Sequence, residues 1–197
     1  MNVQMGPIRS QFFGNSTISS SPAIFPFVMG AGGSTMRLRD VIRASKEDVK
    51  VGSWRFGKVP KADFPLARSP YRLGNSFKWN VIKFSAGGAE CRVLVVQNEG
   101  KQKYEALLGV MGANGILKVL CSYEYHAHEP GWHCHATHDD SDTISHGIMR
   151  GPWIKRVPAA SKKHRPQKFA KFSIGDEAAG ITFACARYRI GQKGSLI

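Results

Sequence analysis

Between Phe77 and His128 four runs rich in β-branched and aromatic residues follow one another, Phe77–Phe84, Ala89–Gln97, Lys103–Val110 and Ile116–His128. They are separated by Ser85-Ala86-Gly87-Gly88, Asn98-Glu99-Gly100 and Gly112-Ala113-Asn114-Gly115. Short Gly and Asn breaks between such runs signal antiparallel hairpins, because these residues accept the positive φ that tight turns require. The chain is therefore expected to be mainly β (α+β), an antiparallel β-meander of about five or six strands. One N-terminal helix and a basic, loop-rich C-terminal segment complete the expected fold.

The last run leads into the most unusual stretch. From Leu117 to His128 the residues alternate. Leu117, Val119, Cys121, Tyr123, Tyr125 and Ala127 are expected on the core side, and Lys118, Ser122, Glu124, His126 and His128 opposite them, with Leu120 out of step. Glu129-Pro130-Gly131-Trp132 carries turn chemistry. A four-residue loop there would pair His128 with His133, His126 with His135, and Glu124 with Thr137. Paired residues share a face, so the hairpin would set four imidazoles and a carboxylate on one side. Cys134 would fall on the other.

Six of the seven histidines lie between Tyr125 and His146, and that stretch holds no Lys or Arg although the chain carries 28 of them. Grouped imidazoles and carboxylates suit a divalent metal, with zinc the ion expected. His126, His128, His133 and His135 are the expected ligands. Glu124, His138 and Asp140 are the candidates for acid–base work beside them. A metal-free pair of histidines transferring protons is the second reading. A merely histidine-rich strand surface is the third.

Charge points to the partner. The chain has 28 Lys and Arg against 14 Asp and Glu, a net charge of +14, which favours polyanions and nucleic acid, RNA or DNA, above all. Residues 147–172 hold eight basic residues and no acid. Of these, Arg150, Lys155, Arg156, Lys162, Lys163 and Arg165 are the expected phosphate contacts. Pro152, Pro158 and Pro166 argue against a helix there. A second basic region spans Met36 to Asn75, where Trp54, Phe56 and Tyr71 interleave with Arg55, Lys58 and Arg72. That pattern suits single-stranded nucleic acid, and equally suits loop aromatics packed on the sheet.

The flanks are read more simply. Residues 1–33 carry one charge, Arg9, and read as an extended or loosely ordered N-terminal arm. Residues 34–197 would form one globular domain, with the His-rich hairpin at 116–146 and the basic segment at 147–172. Gly30 to Gly33 lack the lysine of a phosphate-binding loop and read as a turn before a helix over Met36–Glu47. Ile181–Ile190 is expected to close the sheet as a strand. Four scattered cysteines without C-x-x-C spacing suggest buried thiols in a reducing compartment. With no apolar run of membrane-spanning length, the expected location is cytoplasmic.

Together these features lead to the expectation of a small, basic phosphodiester hydrolase of nuclease type, its His-rich hairpin the metal or acid–base site. The alternative is a non-catalytic nucleic-acid-binding protein with a structural metal or none.

Overall fold

A computed structural model describes residues 36–67, 73–126, 129–137, 154–157 and 173–191. The arm expected over residues 1–33 lies outside the described residues. The described chain is an antiparallel sheet with two helices on it. In order the elements are α1 (Leu38–Arg43), β1 (Lys46–Val51), β2 (Arg55–Phe56), β3 (Lys78–Ala86), β4 (Ala89–Asn98), β5 (Lys103–Met111), β6 (Leu117–His126), β7 (Glu129–Thr137), β8 (Ile154–Val157) and α2 (Glu177–Tyr188). The sheet has eight strands in the order β1-β3-β4-β5-β6-β7-β8, with β2 also pairing with β3. From β3 onward it is a meander.

The turn chemistry accounts for that path. Between β3 and β4, Gly87 and Gly88 have φ of 55° and 79°, and Ala86 pairs directly with Ala89. A two-residue hairpin turn with both centres at positive φ matches the right-handed twist of the strands, and glycine adopts it without a Cβ clash.

Both faces of the sheet centre are covered. One core joins Ile82, Phe84, Val93, Val95, Tyr104, Ala106 and Leu108 to Val41 of α1 and to Ala184 and Tyr188 of α2. The other joins Trp79, Val81, Leu94, Val96, Leu107, Leu117 and Val119 to Val59, Phe64 and Leu66. Burying each such Val, Leu or Phe contributes about 1.5–3 kcal/mol. This explains why β4 and β5 read as nearly continuous apolar runs.

Two departures from the sequence reading have clear causes. The first is the bulge in β6. Leu108 pairs with Cys121, and Gly109 pairs with Val119, so Leu120 is an extra residue. An extra residue turns the following side chains to the other face. Leu117 and Val119 therefore join one core, and Leu120, Cys121 and Tyr123 the other. The single alternating face expected from Leu117 to Ala127 is split at the one residue that broke the pattern.

The second departure is α2, where a closing strand is expected over Ile181–Ile190. The Asp176 side chain caps this helix, accepting a hydrogen bond from Ala179 N at 3.0 Å. Gly180, Ala184 and Tyr188 recur every four residues on its buried side. Tyr188 Oη donates to the carbonyl of Ala106 at 2.6 Å, and Tyr104 Oη to that of Gly180 at 3.0 Å. Short apolar runs fit a strand or a helix by periodicity alone. Here the cap and the four-residue spacing decide. Near the other end, α1 is shorter than the helix expected over Met36–Glu47, since Lys46 already begins β1.

Candidate functional site

The site is set by the pairing of β6 with β7. Glu124 lies opposite His133, Ser122 opposite His135, Tyr123 opposite Cys134, and His126 opposite Glu129. The sequence reading pairs Glu124 with Thr137, four residues further on. Pro130-Gly131 is not the turn. It belongs to β7, and only residues 127–128 separate the strands. Among the described residues β8 pairs with Cys134–Thr137, so Pro130 lies outside that ladder, a position where the missing N–H of proline is tolerated. An even slip keeps every residue on its expected face. Ser122, Glu124, His126, His133 and His135 therefore still share one side.

Direct cross-strand pairs extend this side into a row. Arg55 pairs with Trp79, Trp79 with Val96, Val96 with Glu105, Glu105 with Glu124, and Glu124 with His133. The row starts in the aromatic core and ends in a cluster of carboxylates and imidazoles.

Glu124 is the hub of that cluster and is 5% exposed. Ser122 Oγ donates to its Oε1 at 2.5 Å. His126 Nε2 lies 2.7 Å from its Oε2, and His133 Nε2 lies 3.6 Å from the same oxygen. The rings of His126 and His133 stack at 5.4 Å, and those of His133 and His135 meet edge-on at 5.2 Å. Burial alone would push the Glu124 carboxyl up. Its contacts with His126, His133 and Ser122 outweigh that and hold it well below the usual carboxylate range. The acid is held as a carboxylate, the form that a cation or a proton donor needs.

Glu124, His133 and His135 can hold a metal ion, since one donor atom from each lies within 4.8 Å of the others. His126 stands beside this group through its contact with Glu124. Of the other expected site residues, His128, His138, Asp140, Arg150, Lys162, Lys163 and Arg165 lie outside the described residues. Lys155 and Arg156 fall in β8, which pairs them with Ala136 and His135.

Sequence reasoning placed Ser122 on this side without giving it a role, and it missed Glu105. Glu105 is 4% exposed, and Lys103 Nζ lies 3.6 Å from its Oε2. The signal was available, because Lys103 and Glu105 are charges at alternate positions of an otherwise apolar run. Only the ladder, however, places Glu105 against Glu124.

The opposite face of the same hairpin carries the thiols. All four cysteines are free. The Cys134 thiol is pulled below its ordinary range, first by its hydrogen bond with Cys121 and further by Arg187, against the effect of burial. Arg187 also lies 4.1 Å over the Tyr123 ring. Cys134 thus belongs to the α2 side and stands apart from Glu124, as its position in the alternation implies.

No protein family, curated protein or solved structure matches the chain. Among the described residues no helix is long and apolar enough to cross a membrane.

Proposed function

We propose that this protein is a metal-dependent phosphodiester hydrolase acting on nucleic acid, with zinc as its ion. The observation that carries the reading is the mutual approach of Glu124, His133 and His135 donor atoms within 4.8 Å. One carboxylate and two imidazoles form a donor set typical of hydrolytic zinc sites, in which three protein ligands leave a position for water. A bound ion there would lower the pKa of that water and polarise a phosphoryl oxygen. The chain's own groups supply the rest. Ser122 and His126 fix the Glu124 carboxylate, and His126 is close enough to move a proton at that edge of the site. The net charge of +14 draws a polyanion toward it.

Burial favours one rival reading. With Glu124 5% and His133 1% exposed, the same ligands would suit a structural metal in a nucleic-acid-binding protein. Elemental analysis combined with a cleavage assay separates the two. The hydrolase should retain about one zinc per chain, lose it in His135→Ala, and stop cleaving nucleic acid in chelator until zinc is returned. Full metal content with no cleavage of RNA or DNA would establish the binding protein instead. Metal-free protein whose cleavage ignores chelator would overturn the metal centre.

A further inference from the structure

We infer that Cys121 and Cys134 are a redox-sensitive thiol pair, which hydrogen peroxide closes into a reversible disulfide between β6 and β7. Neither a metal nor a nucleic acid is needed for this, so it stands apart from the proposed hydrolysis.

Register puts the two thiols on one face. Tyr123 pairs with Cys134, and Cys121 pairs with Ala136. Cys121 and Tyr123 alternate with Ser122 on β6, so both face the α2 side, and Cys134 packs there with them. Cys121 and Cys134 are therefore diagonal neighbours. The small Ala136 opposite Cys121 leaves that thiol room to lean toward Cys134, and the two side chains are hydrogen-bonded. The other thiols are placed differently. Cys91 lies on β4, beyond β5, with its Sγ donating to the carbonyl of Ala89 at 3.7 Å. Cys185 lies on α2.

Exposure sets the order of events. Cys121 is 6% exposed, whereas Cys134 is half-buried. Arg187 stands 4.1 Å over the ring of Tyr123, the direct partner of Cys134. A partly exposed sulfur beside a fixed cation is the setting of reactive cysteines. Cys134 Sγ therefore attacks first. It forms an S–O bond as the peroxide O–O bond breaks, and the departing oxygen leaves as water with the thiol proton. The sulfur is oxidised to a sulfenic acid and the peroxide oxygen is reduced. Cys121 Sγ then attacks that sulfur. The S–S bond forms, the S–O bond breaks, and the hydroxyl leaves as water with the Cys121 proton.

Spacing makes the bond a switch. Diagonal Cα atoms stand about 7–8 Å apart, whereas a disulfide spans about 4.4–6.8 Å. Closing it draws the strands together and leaves a strained bond that a monothiol readily reduces. Cys134 lies between His133 and His135 on β7, so the movement carries both imidazoles on the other face of the hairpin.

The test is peroxide titration of the full chain as purified, read by non-reducing digestion with mass spectrometry and by NMR of the imidazole rings. The parent should yield a cross-linked peptide joining Cys121 to Cys134, which glutathione removes. The ring signals of His133 and His135 should shift on oxidation and return on reduction. Cys121→Ala should lose that peptide and let Cys134 proceed to the sulfinic acid. Cys134→Ser, at a half-buried position, should lose the peptide as well. Both thiols still free once the methionines have become sulfoxides would overturn the inference. A bond that glutathione leaves intact, or ring signals that ignore it, would make the pair a staple and overturn the switch. Elemental analysis of the same sample keeps the two readings apart. A metal-free chain that closes the bond would support the pair and refute the metal centre. A zinc-loaded chain whose thiols never join would do the reverse.

Discussion

Glu105 and Glu124 are direct partners across β5 and β6, and both are buried. Carboxylates in that relationship have Cβ atoms about 5 Å apart and repel one another. The pair is tolerated because each acid has its own compensation. Lys103 serves Glu105. Ser122, His126 and His133 serve Glu124.

Removing one compensating cation should therefore cost stability. Lys103→Met should destabilise the fold by about 1 kcal/mol, and Glu105→Gln in that background should recover most of it. Urea denaturation of the single and double variants measures the coupling. Equal cost of Lys103→Met with and without Glu105 would show that the two do not interact.

The Glu124 carboxyl gives a pH dependence with a definite sign. Burial pushes it up, but the contacts with His126, His133 and Ser122 prevail and hold it well below the ordinary value of 4.5. The unfolded chain then takes up the proton more readily than the folded one. The resulting stability is present above about pH 4.5 and is lost as pH falls further, through the depressed folded value. Glu124→Gln should cost about 1.5–3 kcal/mol near neutrality, with the deficit shrinking in acid. A deficit unchanged between about pH 7 and about pH 3 in urea melts would contradict this account.

A third expectation concerns Gly109, beside the bulge. A Cβ added there would stand 2.3 Å from Leu117 Cδ2, 2.7 Å from its Cγ and 3.1 Å from the carbonyl oxygen of Lys118. Leu117 is 3% exposed and part of the second core, so it has nowhere to go. Gly109→Ala should lose about 1–3 kcal/mol by overpacking. A thermal melt at or above that of the parent would show that the bulge relaxes freely.

Much of this was legible in the residues. Alternation and Gly/Asn breaks foretold the meander of β3 to β6 and the shared face of Glu124, His126, His133 and His135. Register was not legible, because Pro130-Gly131 looks like a turn from its composition. That Pro130 lies inside a strand follows only from the pairing of β6 with β7. Glu105 was hidden for a similar reason, since a carboxylate in an apolar strand becomes meaningful only when its cross-strand partner is known. For α2, the Asp176 cap and the four-residue spacing of Gly180, Ala184 and Tyr188 were visible, but the run's apolar content outweighed them. The segments that hold His138, Asp140 and most of the expected phosphate contacts lie outside the described residues.

Leu120 has no partner on β5, and its side chain lies in the same core as that of Cys121, the next residue. Excising it would leave Val119 opposite Gly109 and Cys121 opposite Leu108, an unbroken ladder in which Tyr123 stays on the side of α2 and Glu124 on the other. Such a deletion should therefore still fold, at the cost of one buried leucine, about 2–5 kcal/mol. A single residue added in an unpaired position is absorbed where it stands, and the strand beyond it keeps its place.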